Sequence, residues 1–577
     1  MLQLNEIINK GVFLMVKKKW FVLFLFIVLI SASGFWFYCQ NHVVNYVNPN
    51  KEMLTTKQIK KNIASKLSHD LQNKQSSLTT GYRKKLTSSR YTLDNPFIKL
   101  NPYKTSPLTA LIIFKTTQKA KIKISVIGKT AGTTITYNNS KYNKKHALPV
   151  LGLYANYNNK IRVQATYKNG KKESKIYTVK TAKLPSELAK TKIKVTKNNK
   201  KQMVIGSNKL TFIVRTTHEP FGMDADGAIR WFTANYSQHV FRELSNGHLL
   251  YLAKKDNTGN YYNEMLETDY LGRVYKEYQF STKTHSDEAG TSKGSDETII
   301  HHDAIELTNH NILATVSDGS KKYMEDTIVE ISHKTGKIVN VIDMKKILPK
   351  SLYTKFSSKN TVKRSDGKRD WFHNNSLYYD KTDGGLVISS RNQDLVMKIN
   401  YRTHRIKWIF SNNKKWPKAY RKYLLKTKGK ISYPGGQHAA ILTNTAGSVK
   451  RLLIFNNNIS VYRGNTKTSK QYSQGVEYTI NEKKKTIKEF AQYGKQLGKK
   501  NFSYYIGSNR YLSKNNRLID FGYRNLGESS NIVEYNNKTK KVVFNATISN
   551  FAEKGYAYRA ERMSLYPQKY CFDLENN

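Results

Sequence analysis

The sequence predicts an all-β protein: a six-bladed β-propeller preceded by a small N-terminal β-sandwich, with a transmembrane helix at its start. Three observations carry this. Short β-branched and aromatic runs alternate with polar Asn, Gly and Lys turns along most of the chain. A hairpin element recurs six times after residue 196. One uncharged apolar run near the N-terminus is long enough to cross a bilayer.

The apolar run, residues 20–38, follows Lys17, Lys18 and Lys19 and has aromatics at both ends, as at membrane interfaces. The lysines favour a cytoplasmic segment over residues 1–19 and an extracytoplasmic protein anchored to the membrane. Ser31-Ala32-Ser33 resembles a signal-peptidase site, so cleavage and secretion is the lesser alternative. Residues 39–94 are polar and basic and read as a stalk with helical stretches. Residues 95–185 contain LTALIIFKT, AKIKISVIG, TTITYN and KIRVQATY, alternating strands that make one small sandwich.

The propeller is expected over residues 196–570. Its first repeated element is a polar turn entering a strand, as in Asp224-Ala-Asp-Gly-Ala-Ile-Arg-Trp and Thr268-Asp-Tyr-Leu-Gly-Arg-Val-Tyr. A second element alternates with it five times, beginning at His239, His302, His373, His438 and Gly507. Two hairpins make a four-stranded blade. Six copies against five imply a last blade closed by both chain ends, with KLTFIVRTT and residues 557–566 as candidates.

Composition bounds the partners. The 577 residues include 98 Lys+Arg and 41 Asp+Glu, a net charge of +57, with 39 Tyr and 23 Phe. So many aromatics exclude a disordered basic chain. Two cysteines, Cys39 and Cys571, exclude a disulfide scaffold and a Cys-based zinc site. Placement outside the membrane argues against nucleic acid and leaves anionic wall polymers or anionic small molecules.

In a propeller the innermost strands line one channel, so residues at equal phase converge. His239, His302, His373 and His438 share a phase; Gly507 breaks it. Arg391, 18 residues after His373, belongs to the same blade, and Asn375 adds an amide. Arginine beside imidazoles opposes a metal cation and suits a tetrahedral oxyanion, which argues for no metal. A neutral imidazole can act as the nucleophile. His218, His248, His310, His333 and His404 read as surface residues.

These motifs resemble the bacterial aryl-sulfate sulfotransferases that do not use an adenylyl sulfate donor. The resemblance rests on NPYKTSPLTALIIFKT, HALPVLGLYANY, MDADGAIRWF, RELSNGHLLY, DWFHNNSLYYD, LVISSRNQDLVMKI, YPGGQHAAIL, GVEYTINE and YRAERMSLY. It implies transfer of a sulfuryl group from a phenolic sulfate to a phenol through a sulfohistidine, without a cofactor. It implies His438 as nucleophile, with His373, Asn375 and Arg391 as the sulfuryl cradle. The remaining family histidine falls on His302 by strand phase, with His301 adjacent, and His239 is a secondary candidate. Ser503 or Ser508 would supply a hydroxyl. Members are often periplasmic and some are homodimers. The alternative is a basic wall-polymer-binding propeller without catalysis.

Overall fold

Seven β-sheets, antiparallel but for one short pair, organise the described residues. The computed structural model describes residues 53–254, 262–282, 298–361, 367–443, 447–552, 554–570 and 572–574.

The first sheet is the N-terminal β domain. Thr109–Val126 pairs with Phe97–Leu100, Ile135–Leu151 and Asn158–Tyr167, and Lys172–Lys180 completes the edge. The two halves of Thr109–Val126 differ because their surroundings differ. Ala110, Ile112 and Phe114 join the domain core, while Leu111 and Ile113 pack on their other side against Trp231 and Tyr251. A strand covered on both faces needs an unbroken apolar run. Past the register break between Lys115 and Ala120, Ala120, Ile122 and Ile124 are buried and the intervening lysines exposed. Arg230 locks this domain to the next sheet, donating to Gly152 O, Thr133 O and Asp224 Oδ2 at 2.8, 2.8 and 3.0 Å.

The other six sheets have four or five strands each. Their inner strands are Ser237–Glu243, Ile300–Glu306, Asn374–Asp380, His438–Thr443, Ser508–Tyr511 and Ala557–Ser564. Each inner strand touches the next, and Ala557–Ser564 returns to Ser237–Glu243, so the six form a propeller-like ring. Both chain ends close it. Ala557–Ser564 pairs with Lys209–Arg215, and Lys192–Asn198 adds an outer strand to Lys541–Ser549.

The basic segment after residue 54 differs from the free stalk expected. Helix Thr56–Asn62 starts at a Thr55 capping box, and Ile63–Ser68 is a fifth strand pairing with Val274–Thr282. Helix Asp70–Thr87 then packs on the body: Gln75 donates to Gly272 O at 2.9 Å, and Tyr82 and Leu86 enter an apolar cluster. Ile59 and Ile63 are buried against a neighbouring sheet. Each such burial contributes about 1.5–3 kcal/mol, which offsets the mutual repulsion of the many lysines. The expected membrane run at residues 20–38 lies outside the described residues. Among those, no helix is long and apolar enough to cross a membrane.

Candidate active site

A repeated backbone kink aims the central histidines. His239, His302 and His373 have φ of 54°, 49° and 52°, the left-handed region that costs a non-glycine residue about 1–3 kcal/mol and recurs at functional sites. The register shifts around the kink in each inner strand. The fourth copy has the same kink at Ala439 (φ 57°), one residue past His438, and the fifth at Ile506 (φ 54°). The strand phase is therefore corrected: His438 corresponds to His301, and Ile506, not Gly507, takes the fifth histidine's place. Gly507 (φ 117°) is required by crowding, since a Cβ would lie 2.6 Å from Asp520 O.

Three imidazoles and a phenol form a contiguous cluster. His239 and His302 have ring centroids 5.2 Å apart, His302 and His373 4.5 Å, and His239 and Tyr558 4.2 Å. Tyr558 lies 6.5 Å from His438 on its other side. His301 sits behind, its Nδ1 2.8 Å from His302 Nδ1, with Nε2 buried and unpartnered. His302 is thus the member of the pair within the ring.

Two proton states are built in. His438 Nδ1 lies 2.8 Å from Asn457 Oδ1. Asn457 Nδ2 donates to Ser503 O and Ile506 O, both at 2.9 Å, which fixes the amide. Oδ1 must then accept, so His438 carries its proton on Nδ1 and its lone pair on Nε2. Burial, and then the Arg391 charge, push its pKa well below the usual histidine value. His373 is the opposite. Burial alone would lower its pKa, but Glu325 and Asp370 override this and raise it to about 10. Oxygens of both stand 2.6 Å from His373 Nδ1. One N–H serves one oxygen: Asp370 Oδ2 takes the hydrogen bond, and Glu325 Oε2 is held by charge. His302 and His239 are kept neutral, mainly by burial, His239 at about 3.

Arg391 is buried, donating to Asn392 Oδ1 at 2.7 Å, with its guanidinium 6.0 Å from the Tyr505 ring. Asn375 Nδ2 donates to Gln437 O at 2.7 Å, tying its strand to the one that carries His438. Beneath the ring Asp303 accepts from Arg242 and Arg559, and Arg559 also reaches Asn375 O at 2.8 Å. Burial opposes ionisation of Asp303, yet these two arginines lower its pKa to about 2.

The serine expectation is corrected. Ser508 Oγ bonds the backbone of Ala560, and Ser503 Oγ that of Tyr505 and Tyr523, so both hydroxyls hold strands and loops. His218 is corrected as well: half-buried rather than surface, it lines a cavity with His239. Glu325, Asp370, Asn457, Tyr558 and Arg559 were missed. Arg559 and Tyr558 lie in the YRAERMSLY motif, which pointed to them without a role; Glu325 and Asn457 stand on other strands' flanks with no motif of their own. His301, His302 and Glu325, and separately Glu325, Asp370 and His373, bring ligand atoms within 4.8 Å of one another. Such His/carboxylate sets can hold zinc.

The comparisons agree with this construction. A family model described as Arylsulfotransferase (ASST) matches residues 194–559, and one described as Arylsulfotransferase Ig-like domain matches residues 97–182. The chain belongs to the arylsulfotransferase family and is an enzyme of that class. It is 25% identical to Arylsulfate sulfotransferase AssT of Lelliottia amnigena, covering 82% of this chain and 93% of that protein. It is 25% identical to the protein of the same name from Escherichia coli O6:H1, covering 73% and 84%. Among solved structures, the periplasmic gluconolactonase PpgL of Pseudomonas aeruginosa matches 78% of this chain and 99% of its own at 8% identity, with a TM-score of 0.30, too loose to argue from.

Proposed function

We propose that the protein moves a sulfuryl group from an aryl sulfate to a phenol, with His438 as nucleophile, on a six-bladed propeller whose blades are the six ring sheets. The fixed tautomer of His438, held by Asn457, is the observation that carries this reading. Nε2 attacks the ester sulfur, the S–O bond to the aryl group breaks, and the aryloxide takes a proton. His373 is the donor: Nδ1 is engaged by carboxylates, so the Nε2 proton remains to give. Its pKa of about 10 matches that of a phenol, so proton transfer is nearly balanced in both directions. In the second half-reaction, neutral His373 takes the acceptor's proton as its oxygen attacks the sulfur of the sulfohistidine.

Arg391 supplies fixed positive charge for the sulfuryl oxygens, in a buried setting where it acts strongly. His302 lends a neutral ring beside His373, Asn375 holds the nucleophile's strand, and His239 borders the aryl site. Supported by the apolar run at residues 20–38, we place the enzyme outside the membrane and anchored to it. The test is mass spectrometry of enzyme incubated with 4-nitrophenyl sulfate. A gain of SO₃ on the His438 peptide, absent in His438→Ala together with all turnover, is the expected result; sulfation elsewhere would sink the assignment.

A further inference from the structure

Beside the histidine cluster opens a cavity of about 830 Å³. A volume of that order accommodates far more than an unsubstituted phenyl ring. His239 and Tyr505 lead from the cavity to the site: the His239 ring lies 5.2 Å from that of His302, and Tyr505 faces the Arg391 guanidinium at 6.0 Å. Tyr505 and Tyr556 line the cavity, and Tyr523 packs between them from behind, with centroids 4.5 and 4.9 Å away. An aryl ring fits against such a wall by edge or offset contacts.

The rest of the lining is one-sided in charge. Lys254 and Lys554 line the cavity, and no acidic side chain does among the described residues. Lys254 follows the second strand of its sheet and sits where that strand ends, its ammonium 5.1 Å from the centre of the Tyr262 ring. Lys254 thus offers a positive charge on the wall of the cavity that opens beside His239, where an anion carried on the aryl group can meet it.

We propose that this cavity selects aryl groups bearing a second anionic substituent, such as a carboxylate, and that Lys254 recognises it. The proposal deepens the sulfuryl-transfer reading by naming its substrate class; the binding half of the test does not depend on that reading. Calorimetry of the purified full chain compares 3-(4-hydroxyphenyl)propanoate with its amide, which differ in charge but little in phenol acidity. A partly exposed charge contact predicts about two- to fivefold tighter binding of the carboxylate. That preference should vanish in Lys254→Gln and persist in Lys254→Arg. The same ratio is then read in kcat/KM with phenyl sulfate as donor. A wild type that does not prefer the carboxylate, or a Lys254→Gln variant that keeps the preference, overturns the proposal. Binding preference without turnover of any phenol would overturn the reaction instead and leave the cavity's selectivity standing.

Discussion

His438 begins one inner strand and His373 immediately precedes the neighbouring one; His438 is buried and His373 partly so, yet the two are held in opposite proton states. The difference lies in what faces Nδ1. His373 meets two carboxylates and keeps an extra proton; His438 meets the oxygen of a fixed amide and stays neutral. Burial acts on both in the same direction, against charge, so the partner decides the outcome. One residue type thereby supplies an acid and a nucleophile within reach of each other's charge. This pairing of opposite states is the usual sign of an acid–base site rather than of structural histidines.

The most severe way to break the comparison is to give His438 a carboxylate. Asn457→Asp should raise the His438 pKa, place a proton on Nε2 at neutral pH, and lower kcat at pH 7 by roughly 10–100-fold. Part of the loss should return at higher pH as that proton leaves. Asp also faces the carbonyls of Ser503 and Ile506, so thermal melting is measured alongside. A pH-independent loss in a stably folded variant would mean Asn457 orients the ring without setting its charge.

The converse change depletes the protonated form of His373. Glu325→Gln leaves only Asp370 beside His373 and should bring its pKa down from about 10. Turnover of phenyl sulfate should drop about 10–100-fold, and that of 4-nitrophenyl sulfate much less, because its leaving group is a weaker base. Equal losses on both donors would remove His373 as the proton source.

Wild-type pH behaviour sharpens the same point. The His373 pKa lies above its ordinary 6.5, so its contribution to stability is complete below that value and lost as pH rises through about 10. Asp303 runs the other way: its contribution is present above 3.8 and lost as pH falls through about 2. Activity should therefore hold a plateau across neutral pH and fall as pH approaches 10. A kcat/KM profile that breaks near 6.5 would show instead that an ordinary histidine governs the reaction.

Much of this was legible in the chain. The strand runs, the hairpin repeat and the pairing of both chain ends follow from period-two patterning and turn residues, which are local signals. The convergence of His239, His302 and His373 followed from phase. The finer phase did not: a kink inserts a residue, and GGQHAAIL carries its kink at Ala439, after the histidine. Glu325 and Asn457 were invisible because their roles depend on contacts between blades and loops that spacing does not encode, whereas Asp370 stood in DWFHNNSLYYD, three residues before His373, with no role assigned to it. The segment after residue 54 misled for a different reason. Its lysines mask a sparse apolar set, Ile59, Ile63, Tyr82 and Leu86, that buries only against surfaces built by distant sequence.

His239 provides the mildest test because it has neither kind of partner. Its Nδ1 is buried without a hydrogen bond, its pKa is lowered to about 3 chiefly by burial, and its ring lies 4.2 Å from Tyr558 and beside the aryl cavity. A histidine so placed acts through shape. His239→Phe keeps a flat ring against Tyr558 and removes both nitrogens, so kcat should change by less than about tenfold, with the larger part of any effect in KM. A collapse of kcat with KM unchanged would give His239 a proton-transfer or charge-stabilising role. The division of labour would then extend from two histidines to three.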